Sequence, residues 1–209
     1  MEKAIGWARK ANMKVWVDCH GSPGSQNGFD NSGQSLGEND VQWQVGNNMA
    51  RSIDVLKTMA AKYGAKEYAD VVVGLQLTNE PISWGANDFS KTQSWAKDAF
   101  DAVKKASANP DLVIVMHDAF KQPKTWLDIP SQIKSEKNVD AKNFGIDTHL
   151  YQVFDKEDKT KTQKEHIDKA CGWSQTINPN QELPTNEGFM KTYVGEWSAA
   201  TDSKSRLLH

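Results

Sequence analysis

Apolar positions along this chain alternate between two periods, and the alternation predicts the architecture. Residues 1–12 put Ala4, Ile5, Ala8 and Ala11 on one helical face. Met13 to Val17 then form a short apolar run that reads as a strand and ends in Asp18, Cys19 and His20. A loop rich in Gly, Ser and Asn covers residues 21–37. A long helix is expected over 40–63, carrying Val41, Val45, Met49, Ile53, Leu56 and Ala60. The plainest strand, Val71 to Leu77, runs into Thr78, Asn79, Glu80 and Pro81. A helix near 88–107 precedes a strand over 112–116 that ends in His117 and Asp118. A weak helix near 122–136 precedes 144–148, which ends in His149, Leu150 and Tyr151. A last helix near 160–172 precedes 192–195, which ends in Glu196 and Trp197. Ser203 to His209 carry no interpretable pattern.

Continuous apolar strands alternating with helices predict an α/β protein with a parallel sheet covered on both faces. All five strands run directly into polar or ionisable residues at their C-terminal ends. A doubly wound sheet gathers its ligand near one switch point, commonly with a phosphate loop. Contributions from every strand favour a (β/α)8 TIM-barrel type of fold, whose site is built at that face. Five units in 209 residues is about 42 per unit, so eight would need about 335 residues. The chain is therefore expected to be a single segment, 1–209, of one barrel domain, incomplete at both ends.

Composition narrows the function. Hydrophobic residues make up 38% and charged residues 25%, enough for a buried core. Lys and Arg total 25 against 27 Asp and Glu, a net charge of −2, which argues against nucleic acid or an anionic membrane as partner. No apolar run approaches the roughly 20 residues that span a bilayer. Met1-Glu2-Lys3 leads into an amphipathic stretch and not a signal-peptide core, and no Asn-X-Ser/Thr sequon occurs. Cys19 and Cys171 have no metal-type spacing and are expected to be free or packed thiols. Eight Trp, four Tyr and seven Phe are a high aromatic load for so polar a chain. They serve either core packing or the C–H faces of sugars.

Glu80 and Glu196 are the sharpest candidates. Each follows a buried-type strand, where an unpaired carboxylate is costly unless it has a partner or a task. Glycoside hydrolysis needs two carboxyl groups flanking one glycosidic oxygen; the alternative is a pair of structural, salt-bridged glutamates. Asn79 is suited to hydrogen-bond a sugar 2-hydroxyl, and Pro81 fixes the turn after Glu80. His20, His117 and His149 with Tyr151 are candidates for a metal. The histidines lack i,i+2 or i,i+4 spacing and a thiol partner, so contact with hydroxyls or with the carboxylates fits better. His117 is also readable as a satisfied core histidine. Gly28 to Ser35 nearly match a phosphate loop, but Gln34 stands where the lysine belongs. No nucleotide, cofactor or metal is expected. Phe29 suits sugar stacking, and Asp30 and Asn31 suit hydrogen bonds to hydroxyls.

Taken in order, several segments resemble glycoside hydrolase family 5, in particular the fungal exo-1,3-β-glucanases. They are Val15 to Gly33, Thr78-Asn79-Glu80-Pro81, Met116 to Phe120, Asp147 to Phe154, and Gly195 to Ala200, and the resemblance covers residues 1 to about 202. It implies a TIM barrel and a retaining hydrolase releasing glucose from β-1,3-glucan, with Glu80 as acid/base and Glu196 as nucleophile. It further implies that Asn79, His149 and Tyr151 surround the bound sugar, that His20 ends the third barrel strand, and that Phe29 and Phe154 clamp the next sugar outward. Tyr151 is expected to hydrogen-bond an ionised Glu196. Glu80 is expected to stay protonated, because a second negative charge beside Glu196 raises its pKa. The family also implies an extracellular or cell-wall location, a β-glucan partner, and a monomer when the barrel is complete. Cys19 and Thr148 depart from the residues usual there. The family's arginine near the nucleophile and tryptophan floor belong to strands that this sequence does not contain. That leaves an alternative: a glucan-binding or decoy protein, derived from a truncated glucanase, that turns nothing over.

Overall fold

The computed structural model describes residues 1–177 and 190–201. Ser203 to His209 therefore lie outside the described residues. Five helices and five strands alternate: α1 (Glu2–Lys10), β1 (Val15–Asp18), α2 (Asn48–Tyr63), β2 (Val72–Gln76), α3 (Phe89–Ala106), β3 (Val113–His117), α4 (Ile129–Lys137), β4 (Phe144–Gln152), α5 (Gln163–Ile177) and β5 (Lys191–Thr201). The strands form one sheet in chain order, each parallel to the next. Every return connection therefore contains a helix, and the sheet is a half-barrel.

One apolar cluster holds this half-barrel together. Val17, Cys19, Leu75, Leu77, Ile114, Met116, Phe144 and Ile146 point from the sheet into a layer containing Ile5, Leu56, Ala60, Trp95, Phe100, Val103 and Ile133 from the helices. Alternation puts Trp16, Gln76, Val115, Asp147 and Tyr193 on the other face. The expectation of cover on both faces is corrected here: helices cover one face, and the other is the barrel interior, where Trp16, Val115 and Tyr193 stand beside Gln76 and Asp147. Asp88 caps α3 through its carboxylate, which accepts from Lys91 N–H at 2.9 Å. Asn138, in the left-handed region, closes α4.

The second helix is shorter than its periodicity predicts. It starts at Asn48, and the preceding residues form turns with Gly46 at φ +59°. Val41 and Trp43 are buried there all the same. Trp43 donates to Ser52 Oγ at 3.1 Å and meets Trp95 edge to face. Tertiary burial imitates helical spacing in this segment, while Val45, assigned to the same stripe, is exposed.

Candidate active site

Glu80 leaves the end of β2 in a strained conformation. Its φ is +44°, in the left-handed region that side chains avoid, immediately before Pro81. Such strain persists only where the surroundings over-determine it. The surroundings here include Gln26, fully buried in the loop after β1. Its side-chain NH2 donates to the carbonyls of His20 (2.9 Å) and Asn79 (2.7 Å), and its Oε1 accepts from Ser22 N–H at 2.9 Å. Its backbone also accepts from Ile82 N–H and from the Asn87 amide. One glutamine thus ties the β1 loop to both sides of Glu80.

The centre of the site is His149. Its Nδ1 lies 2.7 Å from Glu80 Oε1 and 3.5 Å from Glu196 Oε2, and its Nε2 lies 3.0 Å from Asp147 Oδ2. With both carboxyl groups ionised, the ring donates from both nitrogens as an imidazolium. Burial pulls its pKa down, but the hydrogen bonds to Asp147 and Glu80 outweigh that and push it up to about 10. For Glu80, burial raises the pKa, while the hydrogen bond and charge of His149, with Asn31, hold it below the ordinary carboxylate value. The expectation of a protonated Glu80 is therefore corrected: the neighbour that decides is His149, whose hydrogen bond and charge outweigh burial.

The remaining candidates divide into two groups. Tyr151 donates its hydroxyl to Glu196 Oε2 at 2.8 Å; burial and this bond raise its pKa to about 12. Asn79 is buried, with its amide 3.4 Å from His20 Nε2, and His20 Nδ1 lies 2.6 Å from Asp18 Oδ2. Asn31 reaches Glu80 Oε2 at 3.4 Å. These residues meet around one point at the strand ends. Asp30 is exposed on a short 3-10 turn beside Asn31, and Phe29 is half-buried before it. Phe154 is 74% exposed and packs edge to face on Tyr151. No ring contact joins Phe29 to Phe154 among the described residues.

His117 is fully buried, its Nδ1 accepts from Ala119 N–H at 3.1 Å, and its ring stands against His149. Burial, then the charge of His149, drives its pKa well below the usual value, so it is neutral. Glu80, His117 and His149 offer three ligand atoms within 4.8 Å of one another. As arranged they make no ready metal set, since an imidazolium has no lone pair to give. Cys19 is buried with its thiol pushed up to about 11 by burial, and Cys171 is exposed; both are free.

Asp147, Gln76 and Gln26 are parts of the site that the sequence reading passed over. Two signals could have found them. Asp-x-His occurs twice at strand ends, as Asp18/His20 and Asp147/His149, and i,i+2 residues share a strand face. Gln76 is a polar residue inside the most apolar strand.

A parallel half-barrel with a carboxylate pair at its strand C-termini is the framework of a barrel-type protein whose site is built at that face. The family comparison agrees: residues 1–207 match the family model described as Cellulase (glycosyl hydrolase family 5). The chain belongs to glycosyl hydrolase family 5. It is 34% identical over 209 residues to a glucan 1,3-beta-glucosidase of Blumeria graminis, covering 100% of this chain and 44% of that one. A glucan 1,3-beta-glucosidase of Schwanniomyces occidentalis is 36% identical over 211 residues, again covering 100% of this chain and 44% of its own. The chain thus spans less than half the length of these curated relatives. Among solved structures, the catalytic domain of Thermobifida fusca endoglucanase Cel5A, a variant in complex with cellotetraose, superposes with a TM-score of 0.53 at 15% identity. That match covers 97% of this chain and 51% of the other, and it supports the fold.

Proposed function

We propose that this chain is a catalytic-domain segment, 1–209, of a retaining β-glucosidic hydrolase that releases glucose from β-1,3-glucan. The observation that carries the reading is the single nitrogen between two carboxylates. The nearest oxygens of Glu80 and Glu196 can be no further apart than the sum of their distances to His149 Nδ1, 2.7 Å and 3.5 Å. Oxygens held that close suit a retaining pair, whose carboxyl groups stand about 5–5.5 Å apart. The fungal relatives named above support glucan as the substrate.

In this mechanism Glu196, oriented by Tyr151, attacks the anomeric carbon and forms a glycosyl ester as the bond to the leaving oxygen breaks. The leaving oxygen takes a proton from Glu80. Glu80 obtains it along the 2.7 Å bond from His149 Nδ1, as negative charge develops on the oxygen. Water then attacks the ester, with the Glu80–His149 pair receiving its proton. Asn79 and His20 hydrogen-bond the sugar, Asp30 and Asn31 contact its hydroxyls, and Phe29 and Phe154 flank the next sugar outward. No cofactor or metal takes part. The family resemblance supports a location outside the cell or in the cell wall, and a monomer when the barrel is complete.

The test is hydrolysis of laminarin and of an aryl β-glucoside by the purified chain, with Glu80→Ala and Glu196→Gln beside it and circular dichroism to confirm folding. Glucose release abolished by Glu196→Gln supports the reading. A folded chain that binds laminarin and releases no glucose replaces it with a glucan-binding protein.

A further inference from the structure

We infer that Asp147 is the positioning residue of this site, governing both the protonation of His149 beside Glu80 and the backbone that brings Glu196 to the same ring. The inference rests on the glycosidase reading for what the two glutamates do, and on geometry alone for what Asp147 holds.

Asp147 is completely buried and accepts three hydrogen bonds from three strands. Its Oδ2 takes His149 Nε2–H at 3.0 Å from its own strand and Gln76 Nε2–H at 3.1 Å from β2. Its Oδ1 takes Gly195 N–H at 2.5 Å from β5. A buried carboxylate without such donors would be expelled or neutralised.

The contact with Gly195 has a consequence for Glu196. Val194 lies opposite Thr148 and Glu196 lies opposite His149, so Gly195 is an extra residue and β5 bulges there. Unbroken alternation from Tyr193 would turn Gly195 and Trp197 inward and Glu196 outward. The bulge hands Glu196 to the interior face and leaves Trp197 69% exposed. A Cβ at Gly195 would lie 2.5 Å from Asp147 Oδ2, so the carboxylate occupies the space a side chain would need. Asp147 therefore seats the bulge directly and holds the ring that touches both glutamates.

Besides Asp147, the charged and titratable groups around this ring are Glu80 after β2, His117 and Asp118 at the end of β3 and Glu196 on β5; Asp18 and His20 at the end of β1 and Tyr151 on β4 act on Asp147, Glu80 or Glu196. Among the described residues, the ion pairs of Glu80, Asp147 and Glu196 are all with His149. An amide at 147 keeps the shape but removes the charge that keeps Nε2 protonated.

The experiment is Asp147→Asn in the whole chain, read by NMR titration of the His149 ring and by the pH profile of kcat/KM on an aryl β-glucoside. The ring is expected to lose its second proton at least one pH unit lower. The alkaline limb of the profile should move the same way, with kcat falling at least tenfold and KM changing less. Gly195→Ala, which crowds the carboxylate without altering charge, should shift the ring titration in the same direction, and serves where Asp147→Asn fails to fold. An unmoved His149 titration in a folded variant overturns the inference, as does a rate loss with an unshifted profile, which would be a merely structural effect. The NMR arm needs no turnover, so an inactive wild-type chain would count against the glycosidase reading and leave Asp147 tested separately.

Discussion

Trp16 on the first strand and Tyr193 on the last meet edge to face inside the half-barrel, their ring centroids 4.8 Å apart. Glycines of the intervening strands make this possible. A Cβ at Gly74 would lie 1.6 Å from Trp16 Nε1, and one at Gly145 would lie 2.8 Å from Tyr193 Cε2. Large rings on β1 and β5 thus lie over small residues on β2 and β4, and five strands curve enough for the outer two to touch. Trp16→Ala is expected to destabilise the fold by roughly 1.5–3 kcal/mol, from lost apolar burial and the ring pair. Gly74→Ala should cost about 1–3 kcal/mol by overpacking. Urea denaturation midpoints measure both; a Gly74→Ala protein of unchanged midpoint would show that the Trp16 ring does not rest there.

Leaving-group chemistry separates the two glutamates. Glu80→Ala should slow laminarin hydrolysis by about 10²–10⁴-fold, the usual worth of a positioned proton donor. It should slow an aryl glucoside with an acidic phenol much less, since that group departs without a proton. Glu196→Gln should abolish both reactions. Equal loss on both substrates for Glu80→Ala would contradict its role as acid.

The imidazolium makes stability depend on pH. The ring pKa of His149 stands at about 10 in the folded protein, against an ordinary value of 6.5. Its stabilisation is therefore complete below pH 6.5, declines above it and is gone once pH passes about 10. Glu80 works in the opposite sense: its pKa is lowered on folding, so its contribution exists above pH 4.5 and is lost as pH falls through the folded value. The His149–Glu80 contact is shared by both shifts and is counted once, while His149 owes its rise to Asp147 as well; together they amount to a few kcal/mol. Denaturant midpoints should fall between pH 7 and 10, and His149→Gln should flatten that slope. An equally steep fall in the variant would assign the effect to other groups.

Gln26→Leu should destabilise the protein by about 2–4 kcal/mol. It leaves the carbonyls of His20 and Asn79 and the N–H of Ser22 without the buried partner they have now. Relaxation of Glu80 from its left-handed conformation should lower kcat as well. Thermal melting beside aryl-glucoside turnover checks this; a variant that melts earlier with full activity would free Glu80 from dependence on Gln26.

Much of the architecture was legible from residue order. Val71 to Leu77 and Leu112 to Met116 announce buried parallel strands, and each strand end names its own polar residue. Those signals are local, since apolar runs of strand length and helical stripes need no knowledge of distant partners. The start of α2 was not legible, because Val41 and Trp43 are buried by tertiary contact without being helical. The bounds of α5 shifted as well: it runs Gln163–Ile177, starting later than the expected 160 and ending later than 172, where the apolar stripe is weak.

By itself the sequence determined the alternation of elements, the parallel sheet and which residues stand at the strand ends, all of them consequences of side-chain period along the chain. Only the tertiary structure decided how those residues face and charge one another. The bulge at Gly195 reverses the side on which Glu196 emerges, and strict alternation would have turned it away. The protonation of Glu80 is decided by the hydrogen bond and charge of one neighbour. That neighbour is His149, 69 positions away along the chain and 2.7 Å away in space. Coulombic and hydrogen-bond energies depend on distance in space, and residue order carries that distance only through the fold.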